Sequence, residues 1–129
     1  MKVFISVLTA FLVSSPVFAH EGHGHEGMPE APHGGVIKEG KTLNLELTAQ
    51  GAEIAIYPLS KDGKALKASD VVLTASAQAP KKSKSMVSLK LEGDHFKGTV
   101  KDAGSYRYEL QTEVTYKGKK ESIKFQVEP

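Results

Sequence analysis

The feature that most constrains this chain is a two-residue rhythm in its apolar side chains. Leu43, Leu45 and Leu47 alternate with Thr42, Asn44, Glu46 and Thr48, the period of a strand with one face buried and the other turned outward. Ala52, Ile54 and Ile56 repeat the pattern up to Pro58, and Val71 to Thr74 is a continuous β-branched run. Val87, Leu89 and Leu91 alternate again before Glu92-Gly93-Asp94 reverses the chain into His95 to Val100. The clearest strand runs to Tyr116, with Tyr106, Tyr108, Leu110, Thr112 and Val114 on its inner face. Its hairpin partner follows the Lys117 to Lys120 turn, with Ile123, Phe125 and Val127 inward and Lys124 and Gln126 outward. No segment after residue 35 carries apolar residues at spacings of three and four for a helix length, so little or no helix is expected. About seven or eight short strands separated by turn signals such as Gln50-Gly51 and Asp62-Gly63 predict an all-β fold. The architecture they match is a two-sheet antiparallel immunoglobulin-like sandwich over residues 36–129.

Asp102-Ala103-Gly104-Ser105-Tyr106-Arg107-Tyr108 adds to this reading. It resembles the tyrosine corner of immunoglobulin-like domains, which implies that the Tyr106 hydroxyl anchors the start of the penultimate strand. Tyr108 stands where antibody domains place their second cysteine, so an aromatic ring is expected to fill the space of the inter-sheet disulfide. An ordinary turn at Asp102 and Gly104 is the other reading of the same residues.

The chain's start is of a different kind. Lys2 is followed by an apolar stretch from Val3 to Val13, interrupted only by Ser6 and Thr9, and then by a small-residue exit ending Val17-Phe18-Ala19. That is the pattern of a secretory signal peptide over residues 1–19, and its apolar part is too short for a bilayer span of about 20 residues. The expected product is an exported chain beginning at His20, periplasmic where the organism has an outer membrane, with no membrane span after cleavage. Lys plus Arg is 17 against 15 for Asp plus Glu, too even a balance for a nucleic-acid binder. With no cysteine in the chain, disulfides, thiolate metal sites and a Cys nucleophile are excluded. No Gly-x-Ser-x-Gly elbow, phosphate loop or His-Glu-x-x-His helix is present, so an enzyme is not expected.

Chemistry concentrates between leader and sandwich. Residues 20–35, HEGHGHEGMPEAPHGG, hold four of the five histidines and five of the twelve glycines. A segment this poor in aliphatic residues cannot build a core, so a flexible, disordered tract is expected there. Imidazole is the commonest protein ligand for transition metals, and glycine spacing lets His20, His23 and His25 converge without a preformed scaffold. Cleavage after Ala19 would also place the α-amine and ring of His20 together as a chelate. Glu21 and Glu26 add oxygen donors. Copper or zinc is the expected ion, with nickel possible; the tract does not choose the metal by itself, since the Irving-Williams order favours Cu²⁺ at nearly any nitrogen site. The other reading of the tract is a polar leader with no ligand role. His33, before Gly34 and Gly35, reads equally as a fourth metal ligand or as a turn residue. His95 sits in a strand whose alternation turns it toward solvent, and it carries no assigned role.

The segment HGGVIKEGKTLNLELTAQGAEIAIY, residues 33–57, resembles the start of small exported proteins and of periplasmic adaptor segments associated with heavy-metal efflux in bacteria. There a Pro-His-Gly-Gly box precedes a strand rich in Glu and Leu. The matching positions are Pro32, His33, Gly34, Gly35, Glu46, Leu47, Ile56 and Tyr57. The resemblance implies periplasmic metal binding or efflux, with an efflux-system protein as partner. The chain departs from whole adaptors in having no helical hairpin and no lipoyl-like domain.

Together these readings lead to an exported, non-enzymatic binder of divalent transition metal, a buffer or carrier linked to efflux. The second reading is an adhesion or interaction module, for a protein or glycan partner, whose His tract is incidental. Because the alternating strands hold the core, the sandwich should fold without metal, and loss of residues 20 to 33 should barely change its melting temperature. The cleavage register generates a direct test. Adding one residue before His20 is expected to weaken Cu²⁺ binding, measured by calorimetry, because it removes the amine from the chelate. Unchanged affinity would leave an imidazole cluster without the amine.

Overall fold

The computed structural model describes residues 30–101 and 107–128. Within them the alternating segments form nine antiparallel strands: β1 (Val36–Glu39), β2 (Asn44–Gln50), β3 (Glu53–Leu59), β4 (Val71–Gln78), β5 (Ser85–Val87), β6 (Leu89–Glu92), β7 (His95–Thr99), β8 (Tyr108–Tyr116) and β9 (Lys119–Val127). They build two sheets, ordered β1-β2-β3-β7-β6 and β5-β4-β8-β9. The orders β2-β3-β7-β6 and β5-β4-β8-β9 are the A-B-E-D and C′-C-F-G arrangements of an immunoglobulin-like sandwich, with β1 an added strand on the β2 edge. Among the described residues the helical content is one short 3-10 turn at Ala68–Asp70, and no helix is long and apolar enough to cross a membrane.

The core lies where the alternation puts it. Leu43 from the β1–β2 turn, with Leu45, Leu47, Ile54, Ile56 and Phe96 from one sheet, meets Leu73, Ala75, Leu110, Val114, Ile123 and Phe125 from the other. Thr112 is the polar member of the inward row on β8, and its hydroxyl donates to the Ile123 carbonyl at 2.7 Å, so its burial leaves no unmet donor. Tyr108 fills the expected inter-sheet position and is buried. Among the described residues its hydroxyl has no hydrogen-bond partner, and burial raises its pKa. Tyr106, and with it the expected corner, lies outside the described residues.

Two departures from the sequence pattern have physical causes. The single alternating run Val87, Leu89, Leu91 is divided between two sheets: β5 pairs with β4 and β6 with β7, the chain changing sheets at Ser88. Periodicity reports which face a residue takes and is silent about which neighbour it bonds to. Pro58 continues β3 opposite Leu45, but pairing of β3 with β7 ends at Ile56 and Phe96, two residues short of the proline whose missing N–H removes a ladder bond.

One side chain ties the sheets together at the β1–β2 turn. Glu121 of β9 accepts from the backbone N–H of Lys41 and of Thr42, both at 2.8 Å. Gly40 leaves the space for this carboxylate, since a Cβ there would overlap Glu121 Oε1 and the Leu43 carbonyl. Burial alone would raise the Glu121 pKa, but the N–H groups of Thr42 and Lys41, the Thr42 hydroxyl and the charge of Lys61 outweigh it and hold it below the ordinary range. A depressed folded-state pKa means the unfolded chain takes up the proton first as pH falls below about 4.3. Glu121 therefore contributes stability at neutral pH that is lost as pH drops through its folded-state value. Glu121→Gln is expected to lower the urea midpoint at pH 7 and to remove part of its decline in acid. An unchanged acid slope in urea titrations would show that the tie does not form.

Candidate functional site

The outward face of β2 carries the least expected burial in the molecule. Alternation turns Glu46 away from the core, yet it is 0% exposed. A carboxylate taken out of water costs several kcal/mol unless its lone pairs are filled. Here three donors fill them. The backbone N–H groups of His33 and Gly35 both reach Oε2 at 2.9 Å, and His33 Nδ1 lies 2.8 Å from Oε1.

The His-Gly-Gly sequence is what makes this cradle. Gly34 takes φ +70°, a left-handed conformation that costs glycine little, and it turns the N–H groups on either side toward one oxygen, a backbone nest for an anion. Gly35 is needed for a different reason. A Cβ there would drive into the carbonyl of Leu47 and sit 2.9 Å from the Thr48 methyl, so only glycine lets the segment lie against β2. The turn reading of this box is therefore met, and residues 31–35 belong with the sandwich, where the sequence pattern had set them apart with the tract. The expectation that loss of residues 20 to 33 would barely affect stability is corrected accordingly, because that deletion removes two of the three donors to a buried carboxylate.

His33 is held on a second side by Tyr57. Glu46 and Tyr57 are register partners across β2 and β3, and the His33 ring stacks on Tyr57 with centroids 3.6 Å apart and planes 14° from parallel. With Glu46 accepting, His33 Nδ1 carries a hydrogen, and in the neutral ring Nε2 has the lone pair. The side chain is 33% exposed, and a groove lined by Gly35, Thr48, Gln126 and Glu128 runs beside it.

Across Tyr57 lies His95, its ring 4.8 Å away and tilted by 32°. It faces outward as its alternation requires, but it is not solitary. Nδ1 is 2.9 Å from Asp94 Oδ1, and Nε2 is 3.9 Å from Glu92 Oε2. The hydrogen bond to His95 holds Asp94 below the ordinary carboxylate range against the opposing effect of its slight burial. His20, His23 and His25, with Glu21 and Glu26, lie outside the described residues. Among the described residues no three His, Cys, Asp or Glu side chains converge as a metal site requires.

Of the four expected metal ligands the structure thus places one, His33, and surrounds it with partners that sequence reasoning had not assigned to it. Glu46 and Tyr57 both occur at positions of the Pro-His-Gly-Gly resemblance, and the signal for their contact was the pairing of the two outward rows across the Gln50-Gly51 turn. His95 had no comparable signal, since its neighbour Tyr57 is distant in sequence.

No family model and no curated protein matches the sequence. The fold is similar to that of a DUF4426 family protein from Pseudomonas aeruginosa PAO1, with a TM-score of 0.54 and 13% identity over 71% of this chain and 94% of that one. At that identity the likeness is one of fold alone.

Glu46→Ala is expected to cost on the order of 3 kcal/mol in urea unfolding, through two stranded backbone N–H groups and the loss of the buried pair. Deletion of residues 20–33 should lower stability in the same sense. A midpoint for both within error of the parent chain would mean that the cradle does not persist in solution.

Proposed function

We propose that this chain is an exported, periplasmic binder of divalent transition metal, copper or zinc before nickel, acting as a buffer or carrier beside an efflux system. The observation that carries the reading is the carboxylate-held imidazole of His33. Metal-ligating histidines characteristically give their second ring N–H to a carboxylate, which fixes tautomer and orientation and raises the basicity of the ligating nitrogen. Glu46 does this for His33 from a position shut off from water, and Tyr57 holds the ring plane. A histidine used only as a turn residue needs neither.

One nitrogen does not make a site. His33 follows His20, His23 and His25 within thirteen residues of chain, and those side chains are the natural source of the remaining donors. In this division of labour the tract captures an ion and His33 gives it one fixed ligand on the sandwich. The absence of thiolates from the chain suits an ion that must be given up again, because nitrogen and oxygen donors release their metal on protonation. Efflux as the destination rests on the resemblance of the Pro-His-Gly-Gly segment. The fold neighbour adds nothing to that choice.

Isothermal titration of the mature chain with Cu²⁺ or Zn²⁺ tests the reading. Glu46→Gln is expected to weaken binding by about 10- to 100-fold, the range for loss of a histidine's carboxylate partner, and His33→Ala by at least as much. Affinity should fall as pH drops through the histidine range near about 6.5. Failure of the parent chain to bind either ion would return the protein to the interaction-module reading.

A further inference from the structure

From the turn joining β6 and β7 we infer a second metal site, distinct from His33, in which His95 Nε2 and the Glu92 carboxylate hold a divalent transition ion on the outer face of the sheet.

The argument starts from hydrogen bonding. Glu92 and His95 are register partners closed by a two-residue turn, with Gly93 at φ +61° making the reversal. Asp94, inside that turn, takes the Nδ1 hydrogen of His95 at 2.9 Å. An ionised carboxylate only accepts, so Nδ1 carries a hydrogen, and in the neutral ring Nε2 bears the lone pair. That nitrogen lies 3.9 Å from Glu92 Oε2. Two acceptors this close repel until a positive charge, either a proton on Nε2 or a metal ion between the two atoms, relieves them. The gap has the size for one. Zinc bonds to imidazole nitrogen at about 2.0–2.1 Å and to carboxylate oxygen at about 2.0–2.2 Å, which at a tetrahedral angle separates the two ligands by roughly 3.4 Å. Closing the remaining distance asks little of Glu92, whose side chain is 42% exposed on an edge strand.

His95 has the same two supports as His33. A carboxylate orients its ring through Nδ1, and Tyr57 packs against its face. The Tyr57 ring stands between the two imidazoles, so one ion does not reach both. With two protein ligands the ion keeps open positions, which water or a donor from a partner fills. Such a site exchanges its ion readily, as suits uptake or transfer more than storage. It does not depend on the His-rich tract.

Ring-nitrogen NMR of the ¹⁵N-labelled mature chain reads each histidine separately. Above the histidine range, at about pH 7.5, Zn²⁺ is expected to shift His95 Nε2 saturably. Glu92→Gln and Asp94→Asn should each raise the half-saturating Zn²⁺ concentration about tenfold or more, with the backbone amide spectrum showing the fold intact and the His33 response unchanged. If His95 Nε2 moves with pH but not with Zn²⁺ up to millimolar concentration, the gap holds a proton and the site is overturned. An unchanged midpoint in Glu92→Gln overturns it equally. Loss of the His33 response alone counts against the proposed function and leaves this site standing.

Discussion

A single buried carboxylate organises the face of this sandwich. Glu46 points away from the core and is nevertheless closed off from water, and such a group persists only where donors are fixed around it. No strand neighbour supplies them. They come from the segment before β1, which crosses onto the sheet, lends two backbone N–H groups and an imidazole, and is pinned there by the anion it satisfies. The anchoring is reciprocal: the glycines give the carboxylate its cradle, and the carboxylate turns the end of a glycine-rich stretch into part of the fold.

Glu121 solves a related problem at the far end of β1. Both carboxylates bind pairs of backbone N–H groups outside the regular ladders, and both work because a glycine leaves room, Gly35 against Leu47 in one case and Gly40 against Glu121 itself in the other. The differences decide their uses. Glu121 joins β9 to a turn and stops at backbone, whereas Glu46 also holds a side chain with a free nitrogen. The first arrangement stabilises; the second, in addition, fixes the orientation of an imidazole ring.

The fold was largely legible because its determinant is local. Leu43, Leu45 and Leu47, or Ile123, Phe125 and Val127, need only a period of two to declare which way they face. What periodicity hid was pairing: the run from Val87 to Leu91 keeps its rhythm while changing sheets at Ser88, and no count of apolar residues records that. The site was legible in part. His33 drew notice as a metal-ligand type next to glycines, but the same alternation that placed Leu45 inward placed Glu46 outward, where water would be the default. Its burial depends on a segment thirteen residues earlier folding back over it, a tertiary fact with no local signature. His95 was passed over for the same reason, since Tyr57 reaches it only through the β3–β7 register.

The sheet change at Ser88 also governs how copies of this chain meet one another. Unpaired strand edges are templates for polymerisation, and a two-sheet sandwich has four. Here β5 and β6, three and four residues long, are edges of opposite sheets joined through one residue, so neither offers an incoming strand much length to grip. On the other side β1 lies against β9, and the nine residues of β9 set Lys120, Lys124 and Gln126 along their outward row. Edges that are short on one flank and charged on the other leave a second copy little backbone to extend, so the chain can be concentrated without becoming a fibre.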